Sequence, residues 1–336
     1  KQIAENAKAF YHKYLTQNGV FDYLEMVINK ISNNERKKIY KTNIIVPFRD
    51  SPQVEREPQT QNRSMHLAKF KEHMSVYIPK LVNYLSDKGI ESRFDITIIE
   101  QSQDGQMFNR GALLNTAYYL TLDESGSPEY DSYIFHDVDL LPSDNLISAY
   151  AGPYQRGDIA HIASEWGRYK NLGKYLGGVT LFGNYVFSLI NGFPNNYWGW
   201  GGEDDELRRR RERQNNLEGY PAPPIDPIKL VGKPNGLVDL EEIDKFTEKK
   251  IVLEAQGNMN PVRYEGKEKH EETWDSNGLN QFIKDSFGKN IFEIENSNIE
   301  TLQINEDLTI DVNTRTVALD YEKMMPFSID SSLSKK

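Results

Sequence analysis

Two acidic clusters in this 336-residue sequence stand where carboxylates can do chemistry. The first, Glu203-Asp204-Asp205, directly follows the run Tyr197-Trp198-Gly199-Trp200-Gly201-Gly202. Glycines interleaved with aromatic rings are poor material for a core; they give a backbone that turns sharply and approaches a ligand closely, beside flat faces with polar handles. Such rings stack on the C–H face of a pyranose, and a carboxylate beside them takes a proton from a hydroxyl. The same acids equally suit the first turn of a helix, where they complement its dipole. The second cluster, Asp137-Val138-Asp139, follows the apolar run Tyr133–His136. Alternation along an extended backbone puts both of its carboxylates on one side. Hard oxygen ligands there suit Mg²⁺ or Mn²⁺ with substrate phosphates completing the shell, although Asp-x-Asp also caps turns.

Something must position these clusters. Asn43–Phe48 is a short β-branched run and reads as a buried strand; Leu67, Phe70, Met74, Tyr77, Leu81 and Leu85 recur at helical spacing through Pro79; Phe94–Glu100 is a second strand. That is a βαβ unit. Arg110–Leu122 reads as a further helix and Tyr133–His136 as a third strand, so the fold class is α/β with a mostly parallel sheet flanked by helices. The ligand end of such a sheet lies beyond the C-terminal ends of its strands, where Arg49 and Asp137 fall. Residues 1–38 read as two amphipathic helices split at Asn18-Gly19, Ser51–Gln61 as a loop, Gly257–His270 as loop-like and Leu279–Phe287 as a short helix. Leu302–Val312 alternates as an edge strand or hairpin. The expected organisation is an N-terminal helical extension at 1–40, a main domain at 41–290, and a C-terminal β extension and tail at 291–336.

The runs FNRGALLN (Phe108–Asn115), FHDVDLLP (Phe135–Pro142), YLGGV (Tyr175–Val179) and FPNNYWGWGGEDDE (Phe193–Glu206) together resemble the β-1,4-galactosyltransferase family, glycosyltransferase family 7. The resemblance covers about Asn43 to Gly288, with a weaker echo at Leu308–Val312. It implies a GT-A, Rossmann-like fold and a nucleotide-sugar site. On that resemblance Asp139 is the direct ligand of Mn²⁺ or Mg²⁺, with Asp137 nearer the ribose. Asp204 is the catalytic base; Glu203 and Asp205 hold sugar hydroxyls or position that base, and Trp200 lies against donor and acceptor. Arg49 and Arg110 meet the uracil side and the diphosphate, for which a guanidinium offers a planar fork. Phe108 packs near the base, and Gly177 and Gly178 let backbone approach the sugar. Tyr175 matches the position where the family keeps Tyr for galactose and a smaller aliphatic residue for N-acetylgalactosamine.

The chain departs from the family in its metal site. The family completes that site with a His, often beside a Met or a second His, after the acidic triplet; here that region reads GLVDLEEIDKF and the later histidine is His270. His270 is a candidate ligand, Asp239 or Glu241 are substitutes, and a surface histidine without a role is as good a reading of His270.

Composition bounds the rest. A formal charge of −10 and a pI near 5.3 repel a phosphate backbone and exclude a general nucleic-acid binder. The basic run Arg208–Arg213 is expected to be a solvated helix face paired with neighbouring acids. There is no cysteine, which suits a cytoplasmic, viral or microbial setting, and no apolar run reaches the length of a membrane span. The expectation is a soluble, metal-dependent inverting enzyme moving galactose from UDP-galactose to a sugar hydroxyl of a glycan acceptor. The alternatives are transfer of N-acetylgalactosamine or glucose by the same fold, or a non-catalytic carbohydrate-binding relative. The acceptor, built by loops, is not legible.

Overall fold

The computed structural model describes residues 38–50, 62–170, 175–215, 227–243, 246–255, 257–264, 273–284, 291–304 and 308–324. The expected N-terminal helices, the Ser51–Gln61 loop and His270 lie outside them.

The apolar run around Ile44 forms β1 (Tyr40–Phe48), flanked by β2 (Ser92–Gln101) and β3 (Ser132–His136). All three run parallel, with Ile44 opposite Ile96 on one side and Ile134 on the other. Strands covered on both faces read as continuous apolar runs, which is why these three were visible in the sequence. Alternate side chains feed different cores: Ile44 and Val46 join the cluster with Phe70, Met74 and Leu81, while Ile45 joins the cluster with Leu113, Phe135 and Phe187. The first cluster is roofed by α1 (Arg63–Ser86), which starts at Asn62, whose side chain accepts from the backbone N–H of Met65, and runs on through Pro79. The second is covered by α2 (Arg110–Tyr119), capped by Asn109 accepting from the N–H of Ala112.

Beyond β3 the sheet becomes mixed, with two antiparallel pairings followed by a parallel one at its edge. A short strand β4 (Leu140–Pro142) leaves it, and β5 (Ile159–His161), β6 (Val179–Gly183) and β7 (Lys229–Leu230) extend it in the order β7-β5-β6-β3-β1-β2. β4 pairs instead with β8 (Leu237–Asp239) in a separate ribbon, with Leu140 opposite Asp239. The last described strands, β9 (Phe292–Gln303) and β10 (Thr309–Leu319), form a hairpin. The edge-strand alternative for Leu302–Val312 is corrected: β10 is an inner strand, parallel to β2 with Val312 opposite Ile96, and β9 takes the edge. Exposed, with Glu293, Glu295 and Glu300 along it, β9 carries the charge that discourages edge-to-edge pairing. Two further helices matter for the site, α3 (Glu203–Asn215) and α4 (Phe246–Ala255).

Candidate active site

The C-terminal ends of β1, β2 and β3 deliver Arg49, the loop to Phe108 and Arg110, and Asp137 to one region, as the sheet's geometry requires. Arg49 donates to the carbonyl of Gln106 at 2.6 Å, and its guanidinium sits 5.7 Å from the Phe108 ring centroid. The backbone N–H of Asn109 donates to Gln101 Oε1 at 2.8 Å, and Asn109 Nδ2 donates to the Asn195 carbonyl at 2.6 Å. Arg110 therefore leaves a fixed helix start. Its Nε donates to Asp137 at 2.7 Å and its Nη1 to Asp204 at 3.0 Å, with Glu203 at 3.9 Å. One guanidinium thus joins two acidic clusters that follow it in sequence by 27 and by 94 positions, and the carboxylates face one another across it.

Glu203, Asp204 and Asp205 open α3, so the helix-dipole reading and the catalytic reading coexist. The preceding glycines make the turn: Gly199, Gly201 and Gly202 have φ of 89°, 103° and 96°, a region that L side chains avoid. The expectation that this aromatic run makes no core is corrected. Trp198 is 1% exposed within the second core, 5.1 Å from Tyr321, and Tyr197 is buried too. Trp200 alone of these rings is half-open, its backbone clamped between Asn258 and Asn260. The glycine turn explains the division, because Gly199 changes the direction of the chain between the buried ring and the half-open one.

Gly177 sits beside Asp204 with no room for a side chain. A Cβ there would collide with the Tyr175 ring and lie 2.6 Å from Asp204 Oδ2. Gly178, at φ 73°, accepts from the N–H of Asp137 at 3.0 Å, so the Tyr175–Gly178 turn is tied to the end of β3. Tyr175 packs 4.6 Å from Tyr169, which the sequence reading missed for want of any motif around it.

Burial sets the electrostatics. It pushes the Asp204 carboxyl well above the usual carboxylate range; Arg110 pulls the other way, and the charges of Glu203, Asp137 and Asp205 add to the rise. Glu203 and Asp137 are raised for the same first reason. Asp139 goes the opposite way: burial would raise it, but Arg63, Lys249 and Arg168 hold it well below the usual range.

Those three cations belong to a second constellation. Asp139, Asp239 and Glu241 each offer a carboxylate oxygen, all within 4.8 Å of one another, because the β4–β8 ribbon sets Asp239 opposite Leu140. Arg63 bridges Asp139 at 3.1 Å and Glu241 at 2.5 Å. Arg168 reaches Asp239 at 2.8 Å and Glu241 at 3.3 Å, and Lys249 on α4 reaches Glu241 at 2.5 Å. Burial, followed by the charge of Asp139, pushes Asp239 up to about 6. His66, one turn along α1 from Arg63, is wholly buried with neither ring nitrogen partnered among the described residues, and Asp139 and Glu241 are the acids acting on it. Three hard oxygen donors at this spacing, with an orphaned imidazole nearby, fit a divalent ion. Of the sequence's alternatives, Asp239 and Glu241 are brought to Asp139, and His270 lies outside the described residues. The signal for Arg63 and His66 was their three-residue spacing at a helix start; Arg168 and Lys249 had none.

Two family models match in succession: residues 60–151 match the N-terminal region of glycosyl transferase group 7, and residues 157–226 match the N-terminal domain of galactosyltransferase. Human beta-1,4-galactosyltransferase 4 is 33% identical over 197 residues, which is 59% of this chain and 50% of that protein. Mouse beta-1,4-galactosyltransferase 1 is 34% identical over 171 residues, 51% of this chain and 36% of that protein. The chain thus spans half or less of the length of these curated relatives. Among solved structures, a mutant Drosophila β1,4-galactosyltransferase 7 in complex with manganese, UDP-Gal and xylobiose superposes with a TM-score of 0.52 at 22% identity, covering 84% of this chain and 95% of the other. The catalytic domain of the same enzyme with xylobiose gives 0.50 at 24%, again covering 84% and 95%. These two likenesses carry the GT-A fold. With consecutive family models spanning the strand-end acids and the helix-start acids alike, the chain belongs to the β-1,4-galactosyltransferase family, glycosyltransferase family 7.

Proposed function

We propose that this protein is a metal-dependent inverting glycosyltransferase that moves galactose from UDP-galactose to a sugar hydroxyl of a glycan acceptor. The observation that carries the reading is the joining of Asp137 and Asp204 through Arg110, with the Asp139–Asp239–Glu241 triad beside it.

Asp139, with Asp239 and Glu241, would hold Mn²⁺ or Mg²⁺. A hard divalent ion supplies charge neutralisation for a diphosphate leaving group. The chain's own residues do the rest. Asp204 accepts the proton of the acceptor hydroxyl as its oxygen bonds to the anomeric carbon; the bond to UDP breaks and UDP leaves with the electron pair. A single displacement with one base opposite the leaving group inverts the anomeric centre. A buried carboxylate with a raised pKa is a stronger base than a solvated one. Arg110 orients that base, and Arg49 with Phe108 forms the cation and ring expected for the nucleotide. Tyr175, packed against the turn at Gly177, leaves little room for an acetamide, which favours galactose over N-acetylgalactosamine.

The test is release of UDP from a panel of UDP-sugars with Mn²⁺, repeated in EDTA, with NMR of the product's anomeric proton. Transfer of galactose with inversion, lost in EDTA and restored by Mn²⁺, is expected. Preference for another sugar moves the assignment within the family, and Tyr175→Leu should then be silent rather than admit the acetamido donor. Glycan binding with neither hydrolysis nor transfer would mark a carbohydrate-binding relative instead.

A further inference from the structure

We propose that Arg63 is a built-in place-holder for the divalent ion: its guanidinium holds Asp139 and Glu241 together while the metal is absent, and must swing out for the metal to enter. This rests on the metal-dependent reading above and adds to it a coupling between metal and nucleotide that the chain's own side chains create.

The acidic triad does not stand open. Arg63, Arg168 and Lys249 balance Asp139, Asp239 and Glu241 charge for charge. A dication entering this cluster unaltered would meet no net negative charge, so one resident cation must yield.

The three are not equally movable. Arg168 is 6% exposed, donates through Nε and Nη2 to the Ile243 carbonyl at 3.1 and 3.0 Å, and lies 4.3 Å over the Trp166 ring. It is anchored whatever happens at the carboxylates. Lys249 is 9% exposed and touches only Glu241 of the triad. Arg63 is 29% exposed and is the cation that spans Asp139 and Glu241, the place a shared ion would take. It also opens α1, so its side chain can rotate without disturbing the helix body.

The leaving position has a natural destination. A diphosphate completing a divalent ion's shell brings anionic oxygens beside the triad, and a displaced guanidinium is suited to them by charge and by its planar fork. His66 supports the same view. It is wholly buried with no partner among the described residues, and the charge of Arg63, followed by those of Asp139 and Glu241, acts on it, so a polar group at this site is left unsatisfied. The consequence is reciprocal: metal binding without nucleotide is weak because it must expel Arg63, and nucleotide strengthens it by receiving Arg63.

Binding of Mn²⁺, followed by the electron paramagnetic resonance signal of the free ion, tests this with and without UDP. In the unaltered protein UDP should tighten Mn²⁺ binding by at least about tenfold, within the usual range of such couplings. Arg63→Ala should tighten binding without UDP by about tenfold or more and reduce the effect of UDP, since the competing cation is gone. Arg63→Lys, which keeps the charge but cannot bridge both carboxylates, should fall between. Unchanged or weaker Mn²⁺ binding in Arg63→Ala, with circular dichroism showing a folded protein, overturns the place-holder. An unfolded Arg63→Ala shifts the decision to Arg63→Lys, where binding no tighter than in the unaltered protein overturns it equally. Absence of Mn²⁺ binding to the unaltered protein, UDP present, would sink the metal-dependent reading along with it, so the two failures are distinct.

Discussion

Arg110 donates to Asp204 at 3.0 Å across 94 positions of sequence, and the same guanidinium holds Asp137 at 2.7 Å. Removing it would leave buried acids facing one another without a counter-charge. Arg110→Ala is therefore expected to destabilise the fold by about 3–5 kcal/mol, as breaking a buried ion pair from one side does. Urea denaturation measures it; a loss below about 1 kcal/mol would mean that the acids simply take up protons.

Asp204→Asn keeps the shape of the side chain and its place on α3 but has no basicity. Transfer should fall by about 10²–10⁴, the usual worth of a positioned base. Affinity for UDP, read by calorimetry, should stay within about threefold, because Arg49, Phe108 and the strand-end acids are untouched. Parallel losses of both would make Asp204 a structural carboxylate.

The same residue fixes a pH dependence. Only ionised Asp204 can accept a proton, and burial raises its pKa, so kcat/KM should fall off on the acid side at a pH above the ordinary carboxylate value of about 4. Stability moves with the opposite sign. A carboxyl raised on folding contributes fully below its unfolded pKa of about 4 and loses that contribution as pH rises through its folded value. A rate profile flat down to the ordinary carboxylate range would remove Asp204 as the base.

Arg210 in α3 is 1% exposed, which corrects the expected solvated face of Arg208–Arg213 at this position, and it donates to the carbonyls of Asn191, Gly192 and Asn277 at 3.0, 3.0 and 2.5 Å. It pins the bend at Asn191-Gly192, where both residues have positive φ, beneath the helix that carries Asp204. Arg210→Met keeps the bulk and removes the donors. A cost of about 2–4 kcal/mol is expected from stranded buried acceptors, visible as a lowered midpoint in urea.

How much of this was legible depended on what surrounds each segment. Ile44–Val46, Ile96–Ile99 and Tyr133–Phe135 are covered on both faces, so they stand out as apolar runs in any reading of the chain. β7 and β8 are two and three residues long, too short for a period to show, yet β8 is what carries Asp239 to Asp139. The motif residues Asp137, Asp139 and Asp204 were visible by type and neighbourhood. The cations around Asp139, Asp239 and Glu241 were not, because Arg63, Arg168 and Lys249 come from three separate segments and only the fold gathers them. The burial of Trp198 was missed for a different reason: glycine spacing tells where a chain can turn, not which ring turns inward.

The hairpin that closes the sheet also dictates when it can close. Thr316 meets Glu100 across 216 positions, so during synthesis β2 waits with one edge bare until that much more chain has left the ribosome. A long-range pairing of this kind slows folding and keeps an isoleucine-rich edge open to other nascent chains for as long as the hairpin is missing.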